Sequence, residues 1–146
     1  MNSSHSLNLD GASRIHFIVG DPIAQVKSPA GVSQAFQAAG LNALCIPAHV
    51  APADLAAWTA GVSLCQNVDG IIVTVPHKFA FFDVCATTSD RGAFLQSINT
   101  LRRNADGSWH GDMFDGMGYV QALALKGCTL KGQKALLVGA GGAGSA

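Results

Sequence analysis

The six residues Gly139-Ala140-Gly141-Gly142-Ala143-Gly144 satisfy the pattern G-x-G-x-x-G and directly follow a compact apolar run at 134–138. A glycine loop leaving a strand can turn tightly and bring backbone N–H groups close to a pyrophosphate, so in that setting the pattern points to a dinucleotide. Lys78 stands just beyond the β-branched run Gly70-Ile71-Ile72-Val73-Thr74-Val75, after Pro76 and His77. The C-terminal end of such a strand is the edge at which open α/β sheets bind ligands. Asp115 opens an apolar-periodic segment further on. Both residues also have a plain reading: Lys78 as a solvated surface cation, Asp115 as a helix cap.

The elements that must position these residues follow from periodicity. Ile15 to Gly20 is a short apolar run that suits a buried strand, and Asp21-Pro22 opens a loop. Ser28-Pro29 is a helix start, with a hydroxyl to cap free N–H groups and a proline where no hydrogen bond is lost. Val32, Ala35, Phe36 and Ala39 follow at helical spacing, and Gly40 offers the stop. A strand at 43–47 and a helix at 53–62 continue the alternation. Residues 70–75 show no polar alternation, as expected of a central parallel strand covered on both faces. A helix is then expected through Phe79, Phe82 and Val84, and another from Ser89 or Asp90. Residues 97–103 read as extended, with Asn104-Ala105-Asp106-Gly107 as the hairpin turn before 108–110. The spacing predicts a helix over 115–125 with Val120, Leu123 and Ala124 on its apolar side, stopped by Gly127, and a strand over 134–138. This alternation indicates an α/β fold with right-handed crossovers.

A chain of 146 residues is enough for one domain with a real core or for one small domain plus the opening of another. With 49% apolar and 12% charged residues it lies far from the compositions of disordered chains. Nine basic residues balance nine acidic ones, so there is no broad field to condense on nucleic acid or on an anionic membrane surface, and neither is expected as a partner. No apolar run reaches the length of a membrane-spanning helix, and residues 1–13 read as a flexible polar leader rather than a targeting signal. Cys45, Cys65, Cys85 and Cys128 are far apart and read as reduced, buried thiols of a cytoplasmic protein. His16, His49, His77 and His110 are scattered without ligand spacing, so no metal is expected. Trp58, Trp109 and the cluster Phe79, Phe81, Phe82 read as core packing, and Arg102-Arg103 as a solvated hairpin face.

Five blocks, in order, carry a family resemblance. They are Gly20-Asp21-Pro22-Ile23-Ala24 with Lys27-Ser28-Pro29; Val73-Thr74-Val75-Pro76-His77-Lys78; Ile98-Asn99-Thr100-Leu101; Gly111-Asp112 with Asp115-Gly116-Met117-Gly118; and the glycine loop. Together they resemble the shikimate and quinate dehydrogenase family over almost all of the chain after Ile15. The resemblance implies a three-layer α/β substrate-binding domain over 14–112, with a mainly parallel sheet and one hairpin. It also implies a linking helix and turn over 113–132, and over 133–146 the start of a Rossmann domain that is incomplete here. The implied reaction is reversible, NADP-linked reduction of 3-dehydroshikimate, or a related cyclic keto acid, to shikimate, with NAD also open as cofactor. Lys78 carries over as the proton-transfer group and Asp115 as its partner. Thr74 and Asn99 carry over as substrate hydrogen-bonding positions, and Ser28 as a hydroxyl for the substrate carboxylate. The glycine loop, Gly139 to Gly144, carries over as the cofactor-binding segment.

The sequence departs from the family pattern at four positions. Val26 stands where the first loop usually has a serine, Ile72 where the strand usually has an asparagine, and Met113-Phe114 where the family usually has Asn-Thr before the aspartate. These residues imply a less polar or reshaped pocket whose ligand is shikimate, quinate or an analogue. The alternative is a non-catalytic module that binds a small carboxylic acid without turning it over. A homodimer stays open as a partner.

Overall fold

The computed structural model describes residues 9–146 and falls into two compact units, Met1–Ile72 and Val73–Ala146. Of the leader expected over 1–13, residues 1–8 lie outside the described residues. Asp10 and Ser13 both hydrogen-bond to the Asn42 side chain, at 2.8 and 2.7 Å.

In the first unit, β1 (Arg14–Gly20) lies between β2 (Ala43–His49) and β3 (Val68–Val73). β1 and β2 run parallel in register from Arg14 opposite Ala43 to Gly20 opposite His49. A parallel pair needs a crossover, and α1 (Ser28–Ala38) supplies it. Ser33 fastens that helix to β2: its hydroxyl accepts from the Cys45 N–H at 2.9 Å. α2 (Leu55–Leu64) buries Leu55, Thr59 and Val62 and makes the return to β3. Trp58 meets Phe17 edge to face at 5.4 Å between ring centroids, the packing contact expected of it.

In the second unit, β6 (Trp109–Asp112) lies between β5 (Thr100–Arg103) and the short β4 (Thr87–Thr88). β5 and β6 form the expected antiparallel hairpin, with Thr100 opposite Asp112 and Arg103 opposite Trp109, while β4 joins β6 in parallel. The chain turns between β5 and β6 at Gly107, whose φ of +85° suits glycine. α3 (Asp90–Leu95) begins at Ser89, whose hydroxyl accepts from the Gly92 N–H at 3.1 Å, and α4 (Asp115–Leu125) follows β6. Phe81, Ile98, Leu101, Trp109 and Met113 form the buried part of this unit. Gly111 sits so close to the Cys85 thiol and to Ile98 that a Cβ there would come within 2.9 Å of Ile98 Cδ1. Among the described residues no helix is long and apolar enough to cross a membrane.

The α/β class and most boundaries agree with the sequence reading, and five details do not. Residues 79–84 form successive turns instead of a helix: the Phe81 N–H reaches back four residues to His77, but the Phe82 N–H only three, to Phe79. Phe79 is therefore half exposed, while Phe81 is fully buried. Residues 134–138 form no strand among the described residues, because no neighbouring strand takes up their backbone groups, and Leu136 and Val138 stand exposed. Cys65 and Cys128 are exposed rather than buried, each lying just past a helix end; Cys45 is buried and Cys85 half buried. Arg103 lies over the Trp109 ring at 4.6 Å instead of facing solvent alone.

Candidate active site

The second unit assembles a polar cluster from three separate stretches of chain. Lys78 follows the end of β3 and a tight turn in which the His77 N–H donates to the Thr74 carbonyl at 3.0 Å. The carbonyl of Lys78 in turn accepts from the Ile98 N–H at 2.9 Å, which ties this turn to the segment carrying Asn99. Asn99 is held at both ends of its backbone, its N–H donating to the Asp112 carbonyl at 3.0 Å and its carbonyl accepting from Val73 at 2.8 Å. Asp115 opens α4 directly after β6.

These anchors bring the side chains together. Lys78 Nζ donates to Asp115 Oδ2, with only a tenth of the lysine side chain and 29% of the aspartate side chain exposed. Asn99 Nδ2 donates to the other carboxylate oxygen, Asp115 Oδ1, at 2.5 Å. Asn99 Oδ1 is itself occupied, accepting from the Phe114 N–H at 2.9 Å and the Thr100 hydroxyl at 3.1 Å, so the amide can present only its NH2 to Asp115. The plain readings of two residues therefore fall away. Lys78 is buried, and the Asp115 carboxylate does not cap its helix: Phe114 holds the cap position without a side-chain cap bond.

Next to this cluster lies a cavity of about 270 Å³ lined by Val75, Pro76, Lys78, Phe79, Gly141, Gly142 and Ala143. The glycine loop thus borders the same space as Lys78. A Cβ on Gly142 would come within 3.3 Å of Lys78 Cβ and Cδ, so a side chain there would press on the lysine stem. Gly139 has φ +91°, and a Cβ on Gly144 would lie 2.6 Å from the Gly139 carbonyl oxygen. Ser145 closes the turn by donating both its N–H and its hydroxyl to the Gly141 carbonyl, each at 2.9 Å. A loop with this lack of side chains fits the pyrophosphate end of a dinucleotide.

The remaining expected residues are distributed as follows. Thr74, half buried, precedes the turn that carries Lys78. Ser28 is exposed at the start of α1, and the cap position is taken by Lys27 with no side-chain cap bond, so the Ser28 hydroxyl is not used in capping. Val26 and Ile72 both pack, partly buried, on one apolar cluster of the first unit formed by Ile18, Ile23 and Cys45. Met113 is buried among the second unit's apolar residues, whereas Phe114 is 38% exposed.

Arg91 escaped the sequence reading. Its guanidinium forks onto Asp112, Nε to Oδ1 and Nη2 to Oδ2, both at 2.6 Å, and its Cζ lies 4.4 Å from the centroid of the Phe114 ring. Asp112 Oδ1 also accepts from the Ser89 hydroxyl and, at 2.7 Å, from the Met113 N–H. Burial pushes the Asp112 carboxyl up, but the hydrogen bonds from Arg91, Ser89 and Met113 outweigh it and hold the group below the usual carboxylate range. No spacing rule joins residues 21 positions apart in an α/β chain. The available signal was an arginine in the first turn of a short helix, where an acid is the favourable charge.

Comparison with known proteins places the chain in a family. Residues 18–101 match the model of the shikimate dehydrogenase substrate binding domain. The shikimate dehydrogenase (NADP(+)) of Geobacter metallireducens is 33% identical over 141 residues, covering 96% of this chain and 49% of that protein. The crystal structure of shikimate 5-dehydrogenase from Listeria monocytogenes in complex with shikimate and NAD superposes with a TM-score of 0.83 at 27% identity, over 93% of this chain and 46% of that one. The 5-ketofructose reductase of a Gluconobacter species gives a TM-score of 0.77 at 26% identity, over 90% and 47% of the two chains. The chain spans about half the length of these relatives. With more than half of its residues matched by that model, the chain belongs to the family of the shikimate dehydrogenase substrate binding domain.

Proposed function

We propose that the chain carries the proton-transfer half of an NADP-dependent oxidoreductase that interconverts a ring ketone and its alcohol, with 3-dehydroshikimate and shikimate as the leading pair. The observation that carries the reading is the contact of Lys78 Nζ with Asp115, whose second oxygen is held by Asn99. In reduction, Lys78 Nζ gives a proton to the carbonyl oxygen as the carbon accepts hydride; in oxidation it takes the hydroxyl proton back. Asp115 aims the ammonium and Asn99 fixes the carboxylate. A nicotinamide, when bound, supplies or accepts the hydride. Gly139 to Gly144 would hold its pyrophosphate, and the cavity shared by Gly141, Gly142 and Lys78 supports that assignment. Thr74, Asn99 and Ser28 are the groups proposed to bind the substrate's oxygens. The reading carries a domain organisation with it: 14–112 for substrate, 113–132 as linker and 133–146 as the opening of the nucleotide-binding domain.

Val26 and Ile72 favour a second reading of the substrate. Both are packed on an apolar cluster, so neither position offers the hydrogen bond that the family pattern would provide. Each missing bond to a charged ligand costs about 1.5–3 kcal/mol, which favours a ketone recognised mainly by its hydroxyls, such as a shikimate analogue or a keto sugar. The similarity to a 5-ketofructose reductase supports including the latter.

The test is a steady-state assay of the full-length protein with NADP or NAD and with shikimate, quinate or the reduced form of 5-ketofructose. Lys78→Ala is expected to lower turnover of whichever substrate reacts by at least about 100-fold while leaving the thermal midpoint and ligand affinity largely intact. Unchanged turnover would remove Lys78 from the reaction. Binding of shikimate with no nicotinamide reduction by the wild type would replace the enzyme with a binding module.

A further inference from the structure

We infer that Arg91 is a positioning residue for the Lys78–Asp115 pair, an inference that rests on the reading above and adds to it a residue that touches neither partner. α4 begins without a side-chain cap, because Phe114 holds the cap position, and the one acid in its first turn, Asp115, is turned toward Lys78 and Asn99. Something else must set where this helix starts. Arg91 does so by gripping the chain on both sides of Asp115. Its fork holds Asp112 at the end of β6, its face covers the Phe114 ring, and its Nη1 lies 3.7 Å from Met117 Sδ in the first turn of α4. A planar guanidinium can make the fork and the ring contact at once, which an ammonium cannot.

The grip is transmitted through the backbone. Asp112, fixed by Arg91 and Ser89, offers its carbonyl to the Asn99 N–H. Phe114, lying under Arg91, donates its N–H to Asn99 Oδ1. Both bonds act on Asn99, and the second decides which end of its amide faces Asp115. Arg91 thus sets the position of the carboxylate and the orientation of the amide that holds it. Met113 and Phe114 are among the residues that depart from the family pattern. At position 114 the ring gives Arg91 a surface on which to rest, so the apolar residue is part of the support of the pair.

Two variants in the full-length protein test this, each read in two ways. Arg91→Gln removes the fork and the ring contact; Phe114→Leu removes only the ring and stays decisive if the first variant fails to fold. The first readout is labelling of Lys78 by an amine-specific reagent, mapped by mass spectrometry without substrate or cofactor. The second is kcat and KM on the substrate that the wild type turns over. The expected result is severalfold faster Lys78 labelling in both variants. Turnover falls about 10- to 100-fold in Arg91→Gln, the cost of a small misplacement, while KM moves less than about threefold. Arg103→Gln, which removes the other guanidinium lying on a ring, is expected to leave Lys78 labelling and kcat at wild-type values. Wild-type labelling and kcat in folded Arg91→Gln, wild-type Lys78 labelling in Phe114→Leu, or equal losses in Arg103→Gln, would overturn the inference. Since labelling needs no turnover, it separates failure of this inference from failure of the proposed reaction: an active Lys78→Ala sinks the reaction alone, whereas an inactive Lys78→Ala with unchanged labelling in the Arg91 variant sinks Arg91 alone.

Discussion

The side-chain amide of Asn99 donates to Asp115 Oδ1 at 2.5 Å, and its own oxygen is already taken by the Phe114 N–H and the Thr100 hydroxyl. The amide is therefore locked in one orientation, and Asp115 is left with one oxygen for Lys78.

Asn99→Ala should release that oxygen and let the carboxylate turn. A hydrogen bond to a charged group contributes about 1.5–3 kcal/mol, so turnover is expected to fall roughly 10- to 100-fold. Asn99→Asp should be worse, because it sets a second carboxylate against Asp115. Steady-state rates on the wild-type substrate check both, and an Asn99→Asp variant faster than Asn99→Ala would contradict the orientation described.

Stability should depend on pH through Asp112. Its carboxyl is held below the usual range by hydrogen bonds from Arg91, Ser89 and Met113 that outweigh the upward push of burial. A folded value below the unfolded one means that the stabilisation is complete above the ordinary carboxylate value and is lost as pH falls through the folded value. Asp112→Asn should accordingly lower the urea midpoint near pH 7, with the gap to wild type closing below about pH 4. A gap independent of pH would show that the charge of Asp112 is not what matters.

The four cysteines should divide by environment. Burial pushes the Cys85 thiol up to about 11 and raises that of Cys45, while Cys65 and Cys128 are exposed. Since the thiolate is the reactive form, a disulfide reagent at about pH 8 should modify Cys65 and Cys128 quickly and the other two only after unfolding. Peptide mapping after a timed quench reads the outcome; rapid labelling of Cys85 in the native protein would contradict its burial.

Much of this molecule could be read along the chain, for local reasons. The β-branched run around Ile71 and Val73, the start at Ser28-Pro29, the start at Ser89 or Asp90 and the turn from Asn104 to Gly107 each depend on a few adjacent residues. All four reappear as β3, α1, α3 and the β5–β6 hairpin. The ordered blocks around Lys78, Asn99 and Asp115 also identified the family, because side-chain chemistry is written residue by residue.

What only tertiary structure decided is how partners distant in sequence meet. Lys78 and Asp115 are 37 positions apart and Arg91 and Asp112 are 21 apart; such pairs exist only once the hairpin and the helix starts are in place. The same dependence explains the readings that changed. A strand needs a neighbour for its backbone groups, and residues 134–138 have none among the described residues. An aromatic run shows apolar character but not its direction, so Phe81 became core while Phe79 came to border the cavity beside Lys78. Local propensity and chemistry travel with the residue, whereas burial and pairing belong to the surroundings that folding creates.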